Sequence, residues 1–70
     1  MTNKKHWALV ILRNESKESQ REVARVIGVS PQRYGLKEQG KAEFLCSEMK
    51  KLANHYGVTL DELFGDKMTV

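Results

Sequence analysis

The segment from Pro31 to Leu36 carries the side chains whose chemistry is easiest to interpret. The amide of Gln32 can form two parallel hydrogen bonds with adenine. The guanidinium of Arg33 can bond guanine or fall short onto a phosphate, and both contacts stay open. Leu36 or Pro31 can touch the methyl group of thymine, although Leu36 can instead be a core or interface residue. On a helix, Gln32, Arg33 and Leu36 share one face, and this face is expected to meet base edges.

Side chains for catalysis or metal binding do not occur at recognisable spacings. The single cysteine, Cys46, cannot form an internal disulfide, and His6 and His55 are too far apart in the chain to supply a zinc ligand set. The sequence contains no phosphate-binding glycine loop, no paired carboxylates and no nucleophile near a base. It therefore predicts no enzyme, no metal and no cofactor. Cys46 is expected to be a core thiol, with a redox switch as the alternative, and His55 to interact with the dipole at a helix end.

The length and composition fit one small globular domain. The chain has 70 residues and a mass of 8.0 kDa, with 40% hydrophobic and 30% charged residues. We expect a single domain over residues 1–70 with an ordered core at about 5–65, and tails at 1–4 and 66–70 that fray. The apolar run at residues 7–12 is too short for a secretory signal or a membrane span, which predicts a cytoplasmic protein.

Positive charge is concentrated in the first part of the chain. The net charge is +3, but residues 1–41 hold nine basic and four acidic side chains, a net of +5, whereas residues 42–70 have a net of −2. Such asymmetry favours a polyanionic partner, although solvated helix faces give the same count.

The elements that must position these side chains are predicted to be helices throughout. Apolar residues recur every three or four positions between the glycines, without the alternation typical of strands. The first helix is predicted over residues 5–14, with Leu9, Leu12 and Trp7 turned inward. Val10 and Ile11 widen its apolar stripe beyond one face, so a strand or a contact with a second chain is a competing interpretation.

Two further helices are predicted on either side of a very short turn. Ser19 and Glu22 form a capping-box pattern at the start of the second helix, which ends at Gly28. Ser30 and Pro31 open the third helix as N-cap and first residue. Only two residues separate the helices, and this is the layout of a helix-turn-helix. The residues expected on the inner faces are Val23, Ala24 and Ile27 in the second helix and Tyr34, Lys37 and Glu38 in the third.

The last two helices complete the predicted fold. The third helix closes at Gly40, the fourth runs from near Leu45 to Gly57, and the fifth begins at Thr59, where Glu62 completes a second capping box. The apolar face of the fourth helix comprises Leu45 or Cys46, then Met49, Leu52, Ala53 and Tyr56. Aromatic side chains on such faces are expected in the core rather than stacked on single-stranded nucleic acid.

The run Ser-Gln-Arg-Glu-Val-Ala-Arg-Val-Ile-Gly-Val-Ser at residues 19–30 resembles the phage repressor and Cro class of helix-turn-helix proteins, also called the XRE family. Gly40-Lys41 and the later segments at residues 52–53 and 57–64 continue the likeness, which covers about residues 5–65. The resemblance implies an all-α, compact five-helix domain of the lambda-repressor type that binds DNA in a bacterium or phage.

The resemblance also implies roles for individual residues. Arg13 and Glu38 match an ion pair that ties the first helix to the third across the core, with two solvated charges as the alternative. Ser19 and Gln20 match the start of the second helix, where a phosphate approaches the helix N-terminus. A glutamine that is merely exposed to solvent is the alternative for Gln20.

Two further phosphate contacts are implied after the third helix. Gln39 and Lys41 match family positions that contact the DNA backbone. Counterion release makes such contacts strong and salt-dependent, but they carry no sequence information.

Three positions depart from the family pattern. Lys37 stands where an apolar residue is usual, so either its stem lines the core edge with the ammonium in solvent, or the third helix is rotated. Glu18 stands where leucine is typical, which leaves one core contact missing. Leu45 stands where a threonine cap is usual, so the fourth helix either starts late, at Ser47, or is poorly capped.

Together these features predict a protein that binds double-stranded DNA sequence-specifically and represses transcription at a palindromic operator. A homodimer is expected because one module reads only a short half-site, with Trp7, Val10 and Ile11 or the tail after Phe64 as candidate contacts. The alternatives are an antitoxin that represses its own operon and a protein-interaction module that does not bind DNA. No membrane and no small-molecule ligand are implied.

Overall fold

In this computed structural model, the described part of the chain is the backbone of residues 5–68 and the side chains of residues 5–65. It contains five α-helices, which are α1 (Trp7–Glu15), α2 (Gln20–Ile27), α3 (Pro31–Glu38), α4 (Cys46–Tyr56) and α5 (Leu60–Met68). No strand occurs within these residues. The prediction of an all-helical fold with five helices is confirmed, and the strand considered for the first segment was wrong.

Local capping explains where α2 and α5 begin. Ser19 Oγ accepts the N–H of Glu22 at 3.1 Å, and the Glu22 carboxylate accepts the N–H of Ser19 at 2.7 Å. Thr59 and Glu62 repeat this reciprocal pair before α5, at 3.0 and 2.8 Å. Gly28 ends α2 in the left-handed region, with φ at +76°. Both predicted capping boxes are present.

Two helix boundaries differ from the sequence prediction. α1 begins at Trp7, later than the expected residue 5. α5 continues to Met68, beyond the expected end of the ordered core at about residue 65. α4 begins at Cys46, as predicted near Leu45, and the late start at Ser47 was wrong. The carboxylate of Glu48 accepts the N–H of Leu45 at 2.9 Å, so a residue of its own first turn caps this helix. The tails expected at residues 1–4 and 69–70 lie outside the described residues.

The core joins all five helices and the loop between α3 and α4. The Phe44 ring lies edge-on to Tyr34 and Phe64, with ring centroids 6.3 and 5.3 Å apart. The buried apolar residues are Leu9, Val23, Ala24, Ile27, Tyr34, Phe44, Leu52, Ala53, Leu63 and Phe64. The expected inner face of α2 is therefore confirmed.

The helices pack in a chain of neighbours. α2 packs on α3 and on α4, and α5 packs on α1 and on α4. Before α1, the N–H of His6 donates to the carbonyl of Glu38 at 3.0 Å, which fastens the start of the described chain to the end of α3. α3 thus has close helical packing on the side of α2.

Three side chains expected in the core are at the surface. Trp7 is 60% exposed because it lies on the side of α1 opposite the buried Leu9, and Leu45 is 61% exposed. Cys46 is also exposed, so its assignment as a core thiol was wrong. The reason lies in α4, where Glu48 occupies the inner face together with Leu52. No helix in the described range is long and apolar enough to cross a membrane.

Candidate nucleic-acid interface

The outer face of α3 presents three side chains to solvent. Gln32 and Arg33 are exposed, and Leu36 is 43% exposed. Pro31, at the first helical position, is half-buried. Ser30 Oγ accepts the N–H of Arg33 at 3.1 Å, which fixes the start of the helix. Leu36, which the sequence left open between core and surface, lies on the exposed face with the two polar residues.

The inner face of α3 is held by the carboxylate of Glu38. Arg13 Nε donates to Glu38 Oε2 at 2.7 Å, and Arg13 Nη2 donates to Oε1 at 3.2 Å. The hydroxyl of Tyr34 donates to Oε2 at 2.7 Å, and Gln20 Nε2 donates to Oε1 at 2.9 Å. One buried carboxylate therefore receives donors from α1, α2 and α3, and it fixes α3 against both preceding helices.

The proton affinities follow from this network. Burial raises the pKa of Glu38, but the hydrogen bonds from its three partners outweigh burial and hold the pKa below its usual value. The hydrogen bond to Glu38 raises the pKa of Arg13, despite partial burial. Burial and the hydrogen bond to Glu38 together raise the pKa of Tyr34. At neutral pH the site is therefore a carboxylate, a guanidinium and a neutral phenol.

At the start of α2, some hydrogen-bonding groups are used within the fold and others face solvent. The side chain of Gln20 turns inward to Glu38, so its Nε2 does not point freely outward as a phosphate donor. The carboxylate of Glu22 accepts the N–H of Ser19. The backbone N–H groups of Gln20 and Arg21 have no acceptor in the described part of the chain. The amides at this helix N-terminus are thus available to an anion.

Gln39 and Lys41 lie just beyond α3 with exposed side chains. Their backbone N–H groups are already used, since Gln39 donates to the carbonyl of Gly35 at 3.1 Å and Lys41 to that of Leu36 at 2.9 Å. Any contact with a partner must therefore come from the side chains rather than from these amides.

Lys37 departs from both predictions made for it. It is 5% exposed, and its ammonium donates to Glu48 Oε1 on α4 while lying 5.7 Å from the centroid of the Phe44 ring. The ammonium does not reach solvent, and α3 is not rotated, because Tyr34 and Glu38 lie inward as expected. An ion pair replaces the apolar contact that the family pattern suggests.

A second polar cluster was missed by the sequence analysis. The carboxylate of Glu18 accepts a hydrogen bond of 2.8 Å from the hydroxyl of Tyr56 and lies 2.7 Å from His55 Nε2. The sequence predicts only a contact with the helix dipole for His55. Because 37 and 38 residues separate the partners, no local spacing in the sequence could have revealed them.

The basic side chains of the first part of the chain are largely unneutralised. Arg13 and Lys37 are used in ion pairs within the fold. The exposed cations among residues 5–41 that form no ion pair with a described residue are Lys5, Lys17, Arg21, Arg25, Arg33 and Lys41. The surface formed by these unpaired cations is therefore suited to a polyanion.

Among residues 5–65, no three His, Cys, Asp or Glu side chains come together as a metal site.

A short helix fixed from behind, with an exposed polar face and a preceding helix that offers free amides, defines a helix-turn-helix domain. The chain matches a helix-turn-helix family over residues 10–63, which includes α2, α3 and α4 in full. It belongs to this family, of the XRE type, whose domain binds DNA and regulates transcription. Comparisons with curated proteins and with solved structures give no match.

Proposed function

We propose that this member of the family is a sequence-specific repressor that binds a palindromic operator as a homodimer. The observation that carries the proposal is the division of α3 into two faces. Tyr34 and Glu38 anchor the inner face, whereas Gln32, Arg33 and Leu36 on the outer face are exposed. The major groove of DNA admits a helix with such a face.

In this proposal the outer face of α3 reads base edges. Gln32 pairs with adenine through its amide, and Arg33 bonds guanine or an adjacent phosphate. Leu36 or Pro31 contacts a thymine methyl group. The exposure of Leu36 supports this role, because covering an exposed leucine with DNA removes apolar surface from water and so favours binding.

Phosphate contacts flank the outer face. The free N–H groups of Gln20 and Arg21, with the hydroxyl of Ser19, face one phosphate, and the Gln20 side chain acts by holding Glu38. The side chains of Gln39 and Lys41 contact the backbone beyond α3. These contacts set the position of the domain on the duplex without reading sequence.

A second copy supplies the other half-site. Trp7 and Ile11 are 60% and 52% exposed, and they are four residues apart on α1, so they form one apolar patch. Val10 is half-buried beside them, and the side chains beyond Gly65 lie outside the described residues. The proposed dimer uses this patch or the end of α5.

The experiment is a selection of bound sequences from a random duplex pool, followed by titrations at several salt concentrations. We expect two symmetric half-sites with centres one helical turn apart, and affinity about a thousandfold above that for unrelated duplex. The binding constant should fall with a logarithmic slope of about −0.9 per phosphate contacted. Lys41→Gln should weaken all sequences alike, whereas Leu36→Ala should reduce discrimination at thymine only. Transcription from a promoter that overlaps the selected site should fall when the protein is added.

A protein-interaction module is the second candidate, and the exposed patch of Trp7 and Ile11 favours it. It predicts weak and equal binding to every duplex at low salt. That result would reject the repressor proposal, because unpaired cations alone would then explain all contact with DNA.

A further inference from the structure

Lys37 and Glu48 form a buried ion pair between α3 and α4. Lys37 is 5% exposed and Glu48 is 6% exposed, so both charges are withdrawn from water. Such a pair contributes little net stability, because the loss of hydration offsets the attraction between the charges. Its presence inside a small core therefore calls for a role other than stability.

The hydrogen bonds of Glu48 fix the position at which the Lys37 ammonium binds. The same oxygen, Oε1, accepts the ammonium of Lys37 and the N–H of Leu45, the residue before α4. The position of the carboxylate is thus fixed by the first turn of α4. The ammonium is further confined by the Phe44 ring, 5.7 Å from its centroid. An apolar side chain at position 37 would have no equivalent fixed point.

Lys37 and Glu38 are consecutive on α3, but they bind partners in different parts of the molecule. Glu38 is bound to Arg13 on α1 and Gln20 on α2, whereas Lys37 is bound to the start of α4. Two fixed points on different sides of one helix define its rotation about its own axis. That rotation decides how Arg33 and Leu36, on the adjoining outer face, are aimed.

We propose that Lys37 and Glu48 are positioning residues that set the rotation of α3 and thereby the base discrimination of the protein. The inference rests on the proposed function, since it assigns a role in reading the operator. It predicts that the pair affects the ratio of specific to nonspecific affinity. Nonspecific affinity itself, which comes from phosphate contacts, does not depend on the pair.

The test compares the parent with the double variant Lys37→Met/Glu48→Gln, in which both charges are removed and the glutamine keeps an acceptor for the Leu45 N–H. Binding is measured to the selected operator, to operators with single base-pair changes, and to unrelated duplex. We expect discrimination to fall about tenfold, with unrelated-duplex affinity and salt slope unchanged. Lys51→Met, an exposed lysine on α4, is the matched control and should discriminate like the parent.

The ratio of specific to nonspecific affinity distinguishes a positioning role from a purely structural one. Partial unfolding lowers both affinities by the same factor and so leaves this ratio unchanged. Full discrimination in a folded double variant would overturn the inference. Loss of its helical circular dichroism would do so as well, since the pair would then hold the fold rather than orient one helix. If the parent itself fails to discriminate, the proposed function fails with the inference, and that outcome is distinct from the first two.

Discussion

Tyr56 donates a hydrogen bond of 2.8 Å to Glu18, and so joins the end of α4 to the residue that precedes the N-cap of α2. His55 Nε2 lies 2.7 Å from the other oxygen of this carboxylate. Burial raises the pKa of Glu18, but the hydrogen bonds outweigh it and hold the pKa below its usual value. The polar cluster thus replaces the leucine contact of the family pattern and fixes the start of α2.

Glu18→Ala removes the carboxylate that binds Tyr56 and His55. The free energy of unfolding should fall by about 1 to 2 kcal/mol, because a hydrogen bond to a charged group is worth about 1.5 to 3 kcal/mol and this site is partly exposed. Glu18→Gln keeps an oxygen for Tyr56 and should lose less. Urea unfolding followed by circular dichroism measures both. Glu15→Ala, an exposed glutamate at the end of α1, is the control, and equal midpoints for the two alanine variants would contradict the prediction.

Arg13→Ala breaks the ion pair with Glu38. It should lower the free energy of unfolding by about 3 to 5 kcal/mol, because the carboxylate stays buried without its cation. The side chains of Arg13 and Glu38 are only 14% and 5% exposed, so solvent compensates little. The matched control is Arg25→Ala, which removes an exposed arginine from the last turn of α2. A thermal midpoint for Arg13→Ala equal to that of the parent would show that the pair does not support the fold.

Stability should decrease in acid. The pKa values of Glu38 and Glu48 are lowered, since hydrogen bonds from their partners outweigh the opposing effect of burial. The unfolded state therefore binds protons first as pH falls. The stabilisation is complete above the unfolded value, about 4.5, and is lost as pH falls through the lower folded values.

Thermal unfolding between neutral pH and pH of about 2 measures this dependence. Glu48→Gln should flatten the acid limb of the curve, because the glutamine does not titrate. Glu43→Gln, at an exposed position, should leave the curve as steep as in the parent. An unchanged acid limb in Glu48→Gln would contradict the linkage.

The boundaries of α2 and α3 could be predicted from the sequence because their causes are local. Ser19 and Glu22 are three residues apart, and Ser30 with Pro31 act within one turn. Hydrophobic periodicity likewise gave the inner face of α2. The two faces of α3 followed from the same periodicity, and this is why the candidate site could be outlined before its geometry was known.

The ion pair of Lys37 with Glu48 and the inner face of α4 could not be predicted in this way. Lys37 and Glu48 lie on different helices, and their meeting depends on how α3 and α4 pack. Glu48 turns inward because it pairs with Lys37 and caps Leu45, and this leaves Cys46 outside. Periodicity favoured the apolar residues of α4 for the core, since it cannot recognise a charge that is neutralised by a distant partner.

Gly35 and Gly28 should respond in opposite directions to replacement by alanine. Gly35 is inside α3, and an added Cβ would lie 3.4 Å from Gln20 Oε1, which is ordinary contact. Gly35→Ala should therefore raise the free energy of unfolding by about 0.5 to 1 kcal/mol through helix propensity. Gly28 has φ at +76° with open space around it, so Gly28→Ala should lower that free energy by about 1 to 2 kcal/mol through backbone strain alone. Urea midpoints for the two variants measure the contrast, and a shift in the same direction for both would contradict the assigned conformations.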